Sequence, residues 1–232
     1  MRNVLSSFSL VALLALTFAM GASAAEGYSL FGDAQIVSPG NASQNAAEAT
    51  TTGPNAYGGV EFPVAAGLTV GDLDNLATDY RFAAGTCGLG SPRFVAEVTN
   101  GTDTGALFFY IGPPPGYTAC PPLVWANTGN LASPTNLVDS SQLDLGTFYD
   151  PYAAVQLKYG SYSVTALYLV VDGPSQTVQF DNTQINGTTV TYERAPSKDD
   201  CKNGGYKNFD GSNGSPGPFK NQGDCVSYFA GR

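Results

Sequence analysis

The sequence predicts an all-β protein, a β-sandwich or a barrel, from its composition and from its hydrophobic alternation. The chain contains 28 Gly, 15 Pro, 13 Tyr and 13 Phe, and only 12% of its residues are charged. This composition is typical of short strands joined by tight turns. Several short runs alternate with period two and are separated by turn residues roughly every 8–12 positions, which favours a sandwich or a barrel.

In the N-terminal half we expect four strands, at residues 29–37, 58–62, 93–98 and 106–111. Residues 93–98 show the clearest alternation, because Phe94, Ala96 and Val98 share one face and Glu97 points away from it. Residues after 37 and up to 49 are interpreted as a polar loop. The segment 68–80 is left open between a short helical turn and a loop.

In the C-terminal half we expect strands at residues 137–143, 153–157 and 162–171, followed by shorter strands at 177–180, 184–185 and 188–192. Five residues of the 162–171 run are expected to share a face, namely Tyr162, Val164, Ala166, Tyr168 and Val170. Leu167, Leu169 and Val171 oppose them, so this strand is predicted to be buried on both sides. Asn186-Gly187 is the strongest hairpin signal in the chain.

Residues 1–24 have the plan of a secretory signal peptide. Arg2 supplies the positive start, residues 10–20 are almost wholly apolar, and small residues precede a cleavage site before Ala25 or, as the next choice, before Glu26. The alternative, an uncleaved membrane anchor, needs about 20 apolar residues. We therefore expect a secreted, extracellular protein without a membrane span.

The charge distribution divides the chain into an acidic main part and a near-neutral tail. Residues 25–197 contain 15 Asp and Glu against 4 Lys and Arg, whereas residues 198–232 contain 4 against 5. An acidic surface argues against nucleic acid as a partner, because that needs a basic footprint. We interpret residues 25–193 as the sandwich, 194–197 as a linker and 198–232 as a cysteine-containing tail.

Four cysteines, Cys87, Cys120, Cys201 and Cys225, predict two disulfides in an exported chain. Three pairings are open, and the local one, Cys87–Cys120 with Cys201–Cys225, is the simplest. A four-cysteine zinc site is the rival, but no Cys-x-x-Cys pair supports it.

Two stretches resemble known proteins. Residues 170–173, 176–182 and 185–188 resemble the last strands of jelly-roll carbohydrate-binding modules, and the resemblance implies that fold and a sugar-binding role. Residues 199–209 and 219–228 are similar to a tail that ends many secreted bacterial proteins, although Tyr206 stands where those tails often have Trp and the 210–218 insert is longer than usual.

No catalytic constellation emerges from the residues. The chain has no His, which removes His-dependent triads and His-ligated metals. Glu61, Glu97 and Asp181 could supply a glycosidase pair, but no close carboxylate pair occurs on one strand. Asp172 and Asp181 could bind calcium through their carboxylates. Both also suit turns, and no calcium-binding loop motif is present, so we interpret them as turn residues. We predict no catalytic residue, no cofactor and no metal.

Aromatic residues in loops are the candidate ligand-binding residues. Tyr117 and Trp125 flank Cys120, and Tyr149 and Tyr152 flank Asp150 and Pro151. Exposed rings stack on sugar rings, whereas the alternative is that these four cap the core. The sequence therefore predicts a non-catalytic binding module for polysaccharide or cell-surface glycan. The alternative is a structural or adhesive protein that acts through protein contacts, with the tail as docking element, and a glycan-active enzyme ranks third.

Overall fold

The computed structural model describes residues 27–53, 55–193, 197–209 and 217–230. The predicted signal peptide, residues 1–24, lies outside the described residues, and so does most of the predicted linker. The described chain forms a β-sandwich of jelly-roll type with a small disulfide-closed C-terminal tail, which confirms the predicted fold class. The division into sandwich, linker and tail as separate units stays a prediction.

Five antiparallel strands form one layer, called here the front sheet. In spatial order they are β1 (Ser29–Gly32), β4 (Gly58–Phe62), β11 (Ser163–Val171), β6 (Arg93–Thr99) and β7 (Thr104–Tyr110).

Six strands form the opposite layer, called here the back sheet. In spatial order they are β2 (Ala34–Val37), β3 (Ala46–Thr51), β12 (Gln176–Ile185), β5 (Leu76–Ala84) and β8 (Ala126–Asn127), with β13 (Thr188–Val190) paired to β12. The turn between β12 and β13 is the predicted Asn186-Gly187 hairpin, which the structure confirms.

Shorter elements close the ends of the sandwich. A two-stranded ribbon joins β9 (Leu137–Val138) to β10 (Asp150–Pro151), and helix α1 (Tyr152–Tyr159) follows directly. A 3-10 turn covers Val70–Asp72. Within the described residues no helix combines the length and the apolar character that crossing a bilayer requires.

The core lies between the two sheets and is rich in aromatic rings. Its largest fully buried aromatic side chains are Phe62, Phe82, Phe94, Phe109, Phe180, Tyr152 and Tyr192. The predicted alternation in β6 is confirmed, because Phe94, Ala96 and Val98 are buried and Glu97 is exposed. Burial of this apolar surface is the main stabilising contribution to the fold.

The predicted single strand at residues 29–37 is wrong, because the segment is split between the two sheets. Gly32 ends β1 with φ +58°, and a Cβ there would lie 2.2 Å from the Tyr57 carbonyl oxygen. Only glycine tolerates both the left-handed backbone and the close approach. Asp33 then bridges the layers: its N–H donates to Tyr57 (2.8 Å) and its carbonyl accepts from Thr50 (2.9 Å).

Three further segments differ from the sequence-based expectations, and a fourth, which was left open, is now assigned. Of the strand expected at residues 137–143, only Leu137–Val138 is extended. Residues 153–157 are helical rather than extended, because α1 buries Tyr152, Val155 and Tyr159 at helical spacing. Strand β3 occupies the expected polar loop before residue 49. The open segment 68–80 contains the 3-10 turn and then the start of β5.

Both predicted disulfides are confirmed, Cys87–Cys120 within the sandwich and Cys201–Cys225 in the tail. The tail contains two 3-10 turns within Lys198–Asn208, which the non-helical residues Lys202, Asn203 and Gly204 separate, and helix α2 (Gln222–Ala230). Around its disulfide the Phe209 ring meets Phe219 at 5.6 Å, and Phe219 meets Tyr228 at 5.3 Å between ring centroids. The cross-link thus joins a small aromatic cluster that is too small for a core of its own.

Candidate functional site

The outer face of the back sheet is occupied by its own polar side chains. One row crosses four strands in register, Gln35, Glu48, Gln179 and Arg81. Gln35 and Gln179 each donate to a different oxygen of the Glu48 carboxylate, at 3.1 and 2.9 Å, and Arg81 donates to the side-chain amide oxygen of Gln179 at 2.8 Å. These groups satisfy one another, so this face offers few free partners to a ligand.

The outer face of the front sheet is different, because it carries a groove lined by rings and carboxylates. The groove has a volume of about 510 Å³. Its lining residues are Phe31, Tyr57, Phe108 and Tyr168, the polar residues Glu61, Arg93 and Glu97, and Val95 and Val170. A concave surface with apolar walls and a few polar groups is the usual form of a small-molecule or oligomer binding site.

Strand register explains why residues so distant in the sequence meet here. Successive residues of a strand face opposite sides, so every second residue of each front strand points outward. Tyr168 lies between Glu61 on β4 and Val95 on β6, and Phe108 on β7 lies opposite Val95. A second outward row places Val170 beside Arg93.

A bulge in β11 sets this arrangement. The register shifts between Val164 and Ala166, so Val164 turns into the core while Ala166, Tyr168 and Val170 face outward. The sequence predicted one shared face for alternate residues of the 162–171 run, and this prediction is therefore wrong for Val164. Tyr168 and Val170 are half-buried because they line the groove.

One wall of the groove depends on Gly59. A Cβ at this position would lie 2.6 Å from the Phe31 ring and 2.2 Å from the Leu169 carbonyl oxygen. The missing side chain lets the Phe31 ring lie across the sheet, where it meets the Tyr168 ring edge-on at 5.9 Å between centroids. Tyr57 lies on the other side of Phe31, at 6.2 Å.

Arg93 supports the opposite side of the groove, where Phe108 lies. Its guanidinium donates two hydrogen bonds to the Asp172 carboxylate, at 2.7 and 2.6 Å, and one to the Gly90 carbonyl at 2.8 Å. The guanidinium carbon also lies 5.1 Å from the centre of the Phe108 ring, within the range of a cation–π contact. The charge of Arg93 is thus compensated inside the protein while its flat face supports an aromatic side chain.

Tyr168 lies in the middle of the groove. Burial raises the pKa of its phenol to about 12, and the nearby carboxylates of Glu97 and Glu61 add to the rise. The ring is therefore neutral at physiological pH, and it offers an apolar face with a hydroxyl at its end.

An aromatic cluster continues from the groove beyond Phe108. Tyr110 stacks nearly parallel to Phe108 at 6.3 Å and contacts Tyr117 at 5.2 Å and Tyr149 at 6.3 Å. Tyr117 and Tyr149, two of the predicted binding residues, stack on each other at 5.7 Å. Tyr117 is buried, whereas Tyr149 is 41% exposed and is the member that a ligand can reach.

The other two predicted binding residues lie elsewhere. Tyr152 is completely buried, and its hydroxyl donates within the core towards the carbonyls of Val70 and Leu73 at 2.8 and 3.0 Å. The core-capping interpretation is correct for this residue, since a ring without exposed surface has no face for a sugar. Trp125 is half-buried next to β8, at the edge of the back sheet.

Asp181 and Asp172, acidic residues considered for catalysis or for calcium binding, are both engaged by other groups of the protein. Asp181 is buried and accepts hydrogen bonds from the backbone N–H groups of Asn41 and Asn182, both at 2.7 Å, and from the Ser43 hydroxyl. Burial raises the pKa of this carboxyl. Asp172 is engaged by Arg93, and no group of three potential metal ligands occurs among the described residues.

Sequence reasoning missed the groove because its residues lie on five strands far apart in the chain. The available signal was the outward alternate residue of predicted strands, Glu97 on β6 and Tyr168 on β11, opposite residues expected in the core. Glu97 and Tyr168 were not among the predicted binding residues, because those were aromatic residues in loops.

Comparisons with known proteins do not assign the chain to a family. No protein-family model matches the chain, and no curated protein matches it significantly. Among solved structures, the chain is similar to the family 11 carbohydrate-binding module of a cellulosomal cellulase of Clostridium thermocellum. The two are 16% identical with a TM-score of 0.40, over 70% of this chain and 84% of that chain. A likeness this distant carries no information about a ligand.

Proposed function

We propose that the front groove is a non-catalytic binding site for polysaccharide. The observation that carries this proposal is the combination of aromatic rings, Phe31 on one side, Phe108 on the other and Tyr168 between them, with hydrogen-bonding groups in the same groove. Sugar rings bind through an apolar face that stacks on aromatic rings, while their hydroxyl groups need polar partners.

The groove suits a chain rather than a single sugar. The lining residues span all five strands of the front sheet, and strands lie about 4.8 Å apart. The aromatic surface continues through Tyr110 to the exposed ring of Tyr149. A linear polymer laid across the strands contacts several of these rings at once.

A binding role accounts for the two groove carboxylates better than catalysis does. A glycosidase acid must hold its proton at neutral pH, which enzymes achieve by enclosing the carboxyl in an apolar pocket. Glu97 is exposed to solvent, and Glu61 is only half-buried. Both are therefore proposed to accept hydrogen bonds from the ligand.

Two disulfides fit an oxidising compartment, and we infer that the protein lies outside the cell.

The alternative function, adhesion through protein contacts, would use the tail, which has its own disulfide and its own aromatic cluster. Loss of cell-surface attachment on removal of residues 197–232, with glycan binding retained, would favour that alternative for the tail.

The test of the proposed function is affinity electrophoresis of the full chain in gels that contain soluble β-glucan, xylan, mannan or starch. We expect retardation by at least one polymer, and a loss of about 1–3 kcal/mol of binding free energy in Tyr168→Ala, the usual effect of losing one well-used aromatic contact. Trp125→Ala is the matched control, because it removes an aromatic ring at the edge of the other sheet.

The two variants separate the structure-based site from the sequence-based one. Weaker binding in Trp125→Ala with unchanged binding in Tyr168→Ala would move the site to the Trp125 loop. Release of new reducing ends from a bound polymer would show catalysis and overturn the non-catalytic assignment. Melting temperatures of both variants are needed to confirm that each is folded.

A further inference from the structure

Two carboxylates in the groove are not neutralised by the protein. Among the described residues, the Glu61 carboxylate accepts a hydrogen bond from the Ser29 hydroxyl alone, at 3.5 Å, and no donor reaches the Glu97 carboxylate. No ion pair in the described part of the chain includes either residue. Glu48 on the back sheet, by contrast, has a partner on each oxygen.

The groove therefore carries excess negative charge. Arg93 is the cation among its lining residues, and its charge is already compensated by Asp172. Glu61 and Glu97 remain, so the charged groups at the groove sum to about −2 in a chain whose formal net charge is −9. Anionic polymers are repelled from such a surface, and cationic ones are attracted to it.

An aromatic ring lies between these carboxylates. Tyr168 is directly opposite Glu61 in the strand register, and Ala166, two residues earlier on the same strand, is opposite Glu97. Phe31 closes over the same ring from the side of β1. An aromatic face beside carboxylates is the combination that binds ammonium groups, through cation–π attraction together with ion pairing.

We propose that the groove takes polysaccharides that carry protonated amino groups, the polymers of hexosamine with free amines. Sugar rings stack on Tyr168 and Phe31, and the amines lie against Glu61 and Glu97. This inference rests on the proposed function, and it adds the chemical class of the ligand.

The experiment compares three oligomers of equal length by calorimetry with the full chain. They are a fully deacetylated glucosamine hexamer, the fully N-acetylated hexamer and cellohexaose, in a mildly acidic buffer that keeps the amines protonated. We expect the amine hexamer to bind more tightly than the acetylated one by about 2- to 30-fold, the range for two solvent-accessible ion pairs. Added salt should reduce this ratio.

The variant Glu61→Gln/Glu97→Gln keeps the shape of the groove and removes its charge. We expect it to weaken binding of the amine hexamer more than binding of the acetylated hexamer, so that the amine-to-acetyl affinity ratio falls close to one. Glu48→Gln is the control, because it removes one negative charge from the back sheet and should leave the ratio unchanged. Melting curves show whether each variant is folded.

Several results would overturn the inference, and they differ from failure of the proposed function. Equal or tighter binding of the acetylated hexamer or cellohexaose would assign the groove to neutral glycans and leave the polysaccharide site intact. A fall of the ratio in Glu48→Gln that is as large per charge removed as in the double variant would attribute the preference to the overall charge. A hexalysine peptide that binds as tightly as the amine hexamer would show a general cation site. Binding of no glycan at all would refute both proposals.

Discussion

Replacing Asp172 by Asn tests whether the Arg93 ion pair holds the groove together. The variant has nearly the same shape but lacks the negative charge that receives two guanidinium hydrogen bonds, at 2.7 and 2.6 Å. Arg93 is only 17% exposed and its Nε is buried without a partner, so its positive charge would be left poorly solvated. Removing one partner is costly for this reason.

The size of the effect follows from the burial of the pair. Exposed pairs contribute about 0–1 kcal/mol, and breaking a fully buried pair costs about 3–5 kcal/mol. With exposures of 17% and 33% the Arg93–Asp172 pair lies between these limits. We expect a loss of about 2 kcal/mol in the free energy of unfolding, which corresponds to about 4–8 °C in Tm for a domain of this size.

Urea unfolding followed by the fluorescence of the single Trp measures this loss directly. Lys202→Gln is the control, because it breaks a pair whose side chains are 59% and 63% exposed and should change stability by less than about 0.5 kcal/mol. A loss in Asp172→Asn as small as in the control would refute the reasoning, since it would show that the guanidinium is well solvated without its partner.

Three other predictions concern the core, the tail and pH. Tyr152→Phe should destabilise the protein by about 0.5–1.5 kcal/mol in urea unfolding, because it removes a buried hydrogen bond, and it should leave glycan affinity unchanged. Replacing Cys201 and Cys225 by Ala should remove about 3–4 kcal/mol of loop-closure stabilisation from the tail; proteolysis should then cut the tail while the sandwich still binds glycan. The Lys158 hydrogen bond holds the pKa of the Asp150 carboxyl below its usual value, so this pair stabilises the folded state above about pH 4 and the contribution is lost as the pH falls further. Lys158→Met should therefore make the acid side of the stability–pH curve less steep.

The parts of the fold that the sequence predicted are those with strong local signals. Period-two alternation located β6 and β11, and the Asn186-Gly187 turn located the β12–β13 hairpin. The simplest cysteine pairing was also correct. In each case residues close in the chain carry the information, so no knowledge of the tertiary structure was needed.

The errors occurred where tertiary context overrides local pattern. Strand β3 begins with Ala46 and Ala47, which have low strand propensity, and it is extended because it pairs with β2 and β12. Residues 153–157 were expected to be a strand, although the Ala, Gln, Leu and Lys of helix α1 favour a helix. The break at Gly32 depends on an approach to Tyr57 that sequence spacing does not reveal.

The groove was harder to predict than the fold because it depends on register. Phe31, Glu61 and Tyr168 become neighbours only when β1, β4 and β11 pair in one register, and a shift of one residue would turn them to the other face. Of the predicted binding residues, Tyr149 contacts Tyr110, which stacks on the groove residue Phe108. A contact between Tyr149 and a ligand stays a prediction.

The split of residues 29–37 between two sheets has a mechanical consequence. Phe31 lies on β1, an edge strand held by four residue pairs to β4, and the chain passes from there directly into β2 on the opposite layer. A polymer that pulls on Phe31 therefore loads the weakest edge of the front sheet, and tension passes through Asp33 to the back sheet. Under force the groove should lose its Phe31 wall before the sandwich unfolds, and if it binds a polymer as proposed, the protein should release that polymer and remain folded.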